Sequence, residues 1–240
     1  MAKERLFRFK RFAVRHRRSA MKVGIDGVLL GAWADVTAAH RILDAGCGCG
    51  VIALMCSQRN PQAAVTGIDT DLDSVEEAQE NAADLPWEAN VSFSQYDIAK
   101  YKAEPFDLIV SNPPFFSSGI SEPDTPRLLA RHDGSLSPLT MPGYAASLLY
   151  PGGKLAMIFP YERLAEVEEA ALQAGLSPIR ITTVRGHSSA PVKRVLAEFL
   201  KPAKDAALQP CIRHELTLET SPGIPTEEYR LLGRPFYLYF

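Results

Sequence analysis

Residues 43–50 have the sequence Leu-Asp-Ala-Gly-Cys-Gly-Cys-Gly and lie between a short apolar run and a helical pattern. Glycines at alternate positions let the backbone turn sharply, and they let a ligand approach main-chain atoms without a Cβ in the way. The helix that follows offers free N–H groups at its N-terminus. The spacing is D-x-G-x-G-x-G rather than the G-x-G-x-x-G of dinucleotide-binding proteins, so the pattern favours a different ligand.

On both sides of this turn, short apolar runs alternate with helical patterns, which predicts a parallel sheet with helices on both faces. The predicted strands are residues 41–44, 65–69, 91–96, 106–111, 154–159, 180–184 and 192–200, with a weaker strand at 215–219. The predicted helices are residues 51–59, 72–84, 140–150, 162–174 and 226–232. We therefore expect a doubly wound, mostly parallel, seven-stranded α/β sheet.

Two acids follow further predicted strands. Asp69 ends the second strand, 19 residues after Gly50, and Asp97 follows the third. The carboxyl ends of parallel strands meet at one edge of a sheet, so these acids should lie near Asp44. Asp69 could accept both hydroxyls of a ribose there, and Asp97 an adenine amino group. Either acid alone is equally consistent with a helix cap or a surface position, whereas the two together favour a nucleoside site.

Residues 112–115 (Asn-Pro-Pro-Phe) directly follow the fourth strand. The prolines remove two N–H donors and stiffen the turn, so the Asn112 side chain and the Pro113 carbonyl form a fixed pair of acceptors. Such a pair suits a planar NH₂ group, and Phe115 could stack the ring that bears it, worth about 1–3 kcal/mol for a base. Two acceptors can orient the poorly nucleophilic amine without a strong base. The alternative is an ordinary Asn-Pro turn.

Composition limits the possible classes of protein. The chain has 240 residues, 46% of them hydrophobic, which suits one or two domains. It has no run of about 18 apolar residues and no signal peptide, so we expect a cytoplasmic protein without a membrane span. The four cysteines do not form a disulfide framework at this size, and the Cys47-x-Cys49 pair has no second pair nearby. We therefore expect reduced thiols and no metal.

The first 22 residues form a basic arm. Nine Lys and Arg residues against one acid give this segment a charge of +8, although the whole chain has a net charge of −2. Such an arm is typical of phosphate binding with release of counterions, and a solvated tail is the alternative. Interleaved aromatics at Phe7, Phe9 and Phe12 favour a docked or nucleic-acid-facing arm. The candidate RNA-binding residues are Arg5, Arg8, Lys10, Arg11, Arg15, Arg17 and Arg18.

Together these motifs resemble class I S-adenosyl-L-methionine (AdoMet)-dependent methyltransferases with an NPP(Y/F) motif. Residues 9–12 and 21–34 are most specifically similar to the opening of the bacterial tRNA1(Val) (adenine-N6)-methyltransferase family. Further similarity lies in residues 53–55, 58–59, 79–81, 86–87, 111–116 and 236–238. The resemblance therefore spans nearly the whole chain.

The resemblance implies a Rossmann-like methyltransferase domain over residues 37–240, preceded by a basic extension and cofactor-lid segment over residues 1–36. It implies methylation of N6 of the adenine 3′ of a tRNA anticodon, with AdoMet as cofactor. The partner would be the anticodon stem-loop, and we expect a monomer. The residues implied to bind the cofactor are Lys22, Gly24, Asp26, Asp44, Gly46, Gly48, Gly50, Asp69, Asp97, Ile98 and Asn112. Those implied to take the target amine are Asn112, Pro113, Pro114 and Phe115.

Other substrates stay open at this stage. Phe115 and Phe116 replace the tyrosines common in the family, and phenylalanine also occurs in N2-guanine rRNA methyltransferases. A protein glutamine would fit two acceptors too, although a peptide needs no basic arm. A non-catalytic RNA-binding module is disfavoured by the intact NPPF turn. Further candidates for phosphate contacts are Arg127, Arg131, His132, Arg185, His187, Lys193 and Arg194.

Overall fold

The computed structural model describes residues 6–19, 21–115, 136–204, 207 and 209–240. Its strands are β1 Leu6–Arg8, β2 Ala13–Arg15, β3 Arg41–Ala45, β4 Ala64–Asp69, β5 Val91–Gln95, β6 Phe106–Ser111, β7 Leu149–Pro160, β8 Ser177–His187, β9 Val192–Leu200, β10 Ile212–Ser221 and β11 Ile224–Pro225. Its helices are α1 Ile25–Trp33, α2 Val51–Arg59, α3 Leu72–Ala83, α4 Met141–Leu148, α5 Leu164–Gln173 and α6 Glu227–Gly233. Arg5, Phe116, Arg127, Arg131 and His132 lie outside the described residues.

The main sheet has the order β11-β10-β8-β9-β7-β6-β3-β4-β5. Strands β7, β6, β3, β4 and β5 are parallel neighbours, whereas β9 runs antiparallel to both β7 and β8. All seven predicted strands are present, which confirms the predicted fold class. β10 and β11 extend the sheet to nine strands. Because strand order reverses beside β3, the carboxyl end of β3 is where a sheet of this type binds ligands.

Helices cover both faces of this sheet, so its central strands are apolar on both sides. In β3, Ile42 points into the core under α1 and α2, whereas the next residue, Leu43, points into the core under α4 and α5. Both side chains are fully buried. Among the described residues, no helix is long and apolar enough to cross a membrane.

The N-terminal segment is docked on the body of the protein. β1 and β2 form an antiparallel hairpin, and Phe9 and Phe12 at its turn are buried and stack with ring centroids 4.7 Å apart. Phe12 also meets Trp87 edge to face at 5.9 Å, and Phe9 meets Phe236 at 6.3 Å. The solvated-tail alternative is therefore wrong for residues 6–19, while a boundary near residue 36 stays a prediction.

Candidate active site

The glycine turn joins β3 to α2 at the predicted edge of the sheet. Gly46 has a φ of +74°, a backbone conformation that side chains with a Cβ rarely adopt. A Cβ at Gly46 would lie 2.6 Å from Leu136 Cδ2, so a side chain here would collide with the wall opposite. The N–H groups of Gly46 and Cys47 donate to the Ile68 carbonyl at 2.9 and 3.0 Å, which fixes the turn against β4.

A cavity of about 530 Å³ opens over this turn. Several predicted residues line it together: Gly46, Gly48, Asp69, Asp97, Ile98, Asn112 and Pro114. The sequence analysis missed other lining residues: Met21, Ile68, Thr70, Asp71, Ser74, Tyr96 and Leu136. A cavity of this size matches a small-molecule or cofactor site.

The two predicted nucleoside-binding acids are held rigidly at the cavity. Asp69 accepts hydrogen bonds from the N–H of Gly48 at 2.9 Å and of Asp71 at 3.0 Å, one on each carboxylate oxygen. Asp97 accepts from the N–H of Ala99 at 2.9 Å and so caps the 3₁₀ turn Ile98–Lys100. A carboxylate oxygen can accept more than one hydrogen bond, so both acids keep capacity for ligand hydroxyl or amino groups. Capping and lining the cavity are therefore compatible for Asp97.

Asp44 is a fully buried acid between β3 and the first turn of α2. Its Oδ2 accepts from the N–H of Ala53 at 3.0 Å, whereas Oδ1 has no partner among the described residues. Burial, with a smaller contribution from the charge of Asp69, raises the pKa of Asp44 to about 7. Asp44 does not line the cavity, so its predicted contact with the cofactor stays untested.

The NPPF turn meets the glycine turn at the cavity wall. The Ser111 hydroxyl donates to the Ala45 carbonyl at 2.7 Å, which ties the end of β6 to the end of β3. The next residue, Asn112, lines the cavity with a buried Oδ1 that has no partner among the described residues. Pro113 is buried and Phe115 is half-buried. The turn therefore presents an unused acceptor and an aromatic ring beside a cofactor-sized cavity.

Three residues of the predicted lid segment do not line this cavity. Lys22 donates from Nζ to the carbonyls of Arg17 and Ser19 at 3.2 and 3.0 Å, and Gly24 precedes the first turn of α1. Asp26 pairs with Arg194 at 2.8 Å. Met21 is the residue of this segment that reaches the cavity. Contact of Lys22, Gly24 and Asp26 with the cofactor stays a prediction.

Gly50 also lies outside the cavity lining. It precedes α2 with a φ of +84°, and a Cβ there would be 2.8 Å from Phe93 Cζ. The structure therefore gives Gly50 a packing role between α2 and β5, and its predicted contact with the cofactor stays untested.

Part of the charge on the basic arm is neutralised within the protein. Arg15 pairs with Asp84, and Arg18 pairs with Glu80 at 2.7 Å. Lys10 donates to the backbone carbonyls of Arg234 and Phe240 at 2.8 and 2.9 Å.

The remaining arginines of the arm differ from these. The guanidinium of Arg11 lies 5.1 Å from the centre of the Trp87 ring. Arg8 and Arg17 are exposed, and neither side chain forms an ion pair with another described residue. These two are therefore the residues of the described arm most available to bind phosphate.

The cysteines of the glycine turn are packing residues. Cys47 and Cys49 are buried, and burial raises the pKa of both thiols. No group of three His, Cys, Asp or Glu side chains suited to a metal occurs among the described residues.

Solved structures with this fold include methyltransferases. A predicted O-methyltransferase from Agrobacterium tumefaciens aligns with a TM-score of 0.66 at 20% identity, covering 88% of this chain and 96% of that chain. A TehB-like SAM-dependent methyltransferase from Corynebacterium glutamicum aligns with a TM-score of 0.50 at 23% identity, covering 74% and 89%. The family model described as "Methyltransferase small domain" matches residues 22–137. The chain thus has the fold of the class I methyltransferases, with a methyltransferase small domain over residues 22–137.

Curated relatives narrow the class. A protein from Phocaeicola vulgatus is 41% identical, covering 97% of this chain and 97% of its own length. One from Aeromonas hydrophila is 39% identical with the same coverage, and both are named tRNA1(Val) (adenine(37)-N6)-methyltransferase. The chain belongs to the tRNA1(Val) (adenine(37)-N6)-methyltransferase family, as the resemblance predicted.

Proposed function

We propose that this protein transfers the methyl group of AdoMet to the exocyclic N6 amine of an adenine in a tRNA anticodon loop. One observation carries the chemical part of this proposal: the buried Oδ1 of Asn112 at the cavity wall has no hydrogen-bond partner among the residues that the structure describes. An unsatisfied buried acceptor is costly, so a donor from a ligand is the natural partner. The names of the curated relatives support the choice of tRNA and of adenine.

The residues of the chain would divide the work as follows. Gly46 and Gly48 leave room for the ligand, while Asp69 and Asp97 accept from its ribose and adenine. The cofactor, when bound, supplies an electrophilic methyl group on a sulfonium. Buried Asp44 would hold the start of α2 under the glycine turn through the N–H of Ala53.

The NPPF turn would orient the nucleophile. Asn112 Oδ1 and the Pro113 carbonyl accept the two N–H groups of the target amine, which directs its lone pair towards the methyl. Phe115 stacks the adenine ring. Preorganised acceptors stabilise the positive charge that develops on nitrogen during transfer, and the proton can leave afterwards to water. No side chain need act as a strong base.

The basic arm would supply affinity for RNA. Arg8 and Arg17 are exposed without internal ion pairs, so they can neutralise phosphates and release counterions. The target base has to leave its stack to reach Phe115, which costs less in a single-stranded loop than in a duplex. The monomeric state, the cytoplasmic location and independence from metal stay predictions.

Methyl transfer to unmodified tRNA tests this proposal. The purified protein is incubated with isotope-labelled AdoMet and tRNA transcripts, and the RNA is digested for nucleoside mass spectrometry. We expect label in N6-methyladenosine, and mass spectrometry of ribonuclease fragments should place it at one position of the anticodon loop. Parallel incubations replace the tRNA with rRNA, where label in N2-methylguanosine and none in tRNA would favour the guanine alternative, or with a release-factor protein, where label and none in tRNA would favour the glutamine alternative. Either outcome would overturn the proposal.

A further inference from the structure

An arginine at the start of β9 lies over the ring of Phe115. The Cζ of Arg194 is 5.2 Å from the centre of that ring, within the range of a cation–π contact. Arg194 belongs to β9, where it stands opposite Pro160 at the end of β7. Because β9 runs antiparallel to β7, its first residues lie at the edge of the sheet that carries the NPPF turn.

The side chain of Arg194 is held in place by Asp26 of α1. Its Nε donates to Asp26 Oδ2 at 2.8 Å, and its Nη1 donates to the Lys193 carbonyl at 3.1 Å. Asp26 lies in the first turn of α1, where the helix dipole favours a carboxylate. Only 33% of the Arg194 side chain and 20% of the Asp26 side chain are exposed. The planar guanidinium is thus held by two hydrogen bonds in one orientation.

We propose that Arg194, anchored by Asp26, is a positioning residue that fixes the Phe115 ring for stacking of the target base. This inference rests on the proposed function, because it assigns Phe115 to the base. Arg194 and the core residues packed against Phe115 would hold the ring in one orientation, so that an adenine stacks on a fixed surface. A ring free to rotate would hold the amine less accurately, and small misplacements at a reacting centre cost rate.

Because Arg194 forms an ion pair with Asp26, a positioning role can be distinguished from a role in binding phosphate. Asp26 neutralises the guanidinium and occupies its Nε, so Arg194 contributes little to the attraction of tRNA. A phosphate ligand would act mainly on binding and on its salt dependence. A positioning residue would act on turnover at saturating tRNA, with the cofactor site unchanged.

The decisive variants are Arg194→Gln and Asp26→Asn. We expect Arg194→Gln to lower kcat about tenfold, equal to about 1.4 kcal/mol. The KM for tRNA, its salt dependence and the Kd for AdoMet should stay within about twofold. Asp26→Asn should lower kcat in the same direction, because it frees the guanidinium from its anchor. Arg213→Gln is the matched control, since it removes an arginine that pairs with Glu168 away from Phe115.

A double-mutant cycle with Phe115→Ala supplies the test that a purely structural role would not pass. If Arg194 acts through the ring, Arg194→Gln has no further effect once Phe115 is removed. An unchanged kcat in both single variants, or additive losses in the double variant, would overturn the positioning role. A raised KM with a flatter salt dependence at normal kcat would also overturn it. Absence of tRNA methylation by the wild-type protein would instead overturn the proposed function itself.

Discussion

Replacement of Glu77 by glutamine should release the N-terminal segment from α3. The buried carboxylate of Glu77 accepts the backbone N–H of Arg17 at 2.6 Å and of Ser19 at 3.0 Å, and the Ser19 hydroxyl at 2.6 Å. The N–H of Arg18 lies 3.2 Å from both oxygens. This one side chain therefore satisfies three consecutive main-chain donors, just before Met21 reaches the cavity.

The expected loss follows from these contacts. Glutamine keeps one acceptor oxygen and turns an NH₂ group towards the remaining donors. A hydrogen bond to a charged group contributes about 1.5–3 kcal/mol, and an unpaired buried N–H costs about 1–3 kcal/mol. Undocking of the segment limits the total, so we expect a loss of about 2–4 kcal/mol in the free energy of docking. Because Met21 forms part of the wall, the Kd for AdoMet should rise as well.

Hydrogen exchange measured by mass spectrometry reports docking directly. The amides of residues 15–22 should exchange about 30-fold or more faster in Glu77→Gln, as a loss of about 2 kcal/mol implies. Glu76→Gln is the matched control, because Glu76, the exposed neighbour of Glu77, pairs with the side chain of Arg18 at 3.3 Å rather than with the main chain of the segment. Unchanged protection in Glu77→Gln, or equal loss in both variants, would refute the assignment of Glu77 as the anchor.

Three further predictions concern the site and the arm. Asn112→Ala should lower kcat at least 100-fold while the Kd for AdoMet stays within about threefold; loss of cofactor binding by calorimetry would contradict the assigned role. The pKa of Asp44 is about 7 in the folded state and about 3.9 in the unfolded state. Between these pH values the native state keeps a proton that the unfolded state loses, so the free energy of unfolding should fall as pH rises. Asp44→Asn should remove this fall, which amounts to at most about 4 kcal/mol. Urea titrations at pH 5 and pH 8 that give the variant and the wild-type protein the same pH dependence would refute this prediction. Arg8→Ala and Arg17→Ala should each weaken tRNA binding and reduce the salt slope by about 1, more than Arg15→Ala; equal effects in filter binding would contradict the distinction.

Regular parts of the fold followed from local patterns. α2, β6 and β9 have the predicted bounds, because each is an apolar segment of sufficient length with clear breaks on either side. Strand β7 begins at Leu149, five residues before the prediction. Residues 151–153 (Pro-Gly-Gly) interrupt the apolar pattern there, and the pairing of β7 with β6 is irregular over this stretch.

The N-terminal elements were missed for physical reasons. α1 is buried from Gly27 to Trp33, so it has no polar face to reveal a helical period. The paired strands β1 and β2 have three residues each, too few for an alternating pattern. Their place is set by contacts with distant aromatic residues such as Trp87 and Phe236.

Some residues of the site could also be predicted from the sequence, and others could not. Asp69, Asp97 and Asn112 could be located because each follows a strand, and strand ends share one edge of the sheet. Met21 and Tyr96 are exposed apolar residues in connecting segments, and nothing local distinguishes them from other surface positions. The contact between Asp26 and Arg194 joins residues 168 positions apart, which no spacing in the sequence indicates.

Helix α3 grips the main chain of residues 15–18, with Asn81 bonded to the N–H and carbonyl of Arg15 and Glu77 bonded to the next donors. These hydrogen bonds involve main-chain groups, so they do not depend on the charge of the Arg17 side chain. The position of the N-terminal segment therefore depends on its main chain, whereas its charge depends on its side chains. Substitution of its exposed arginines could therefore change which RNA the protein binds while the cofactor cavity stays intact.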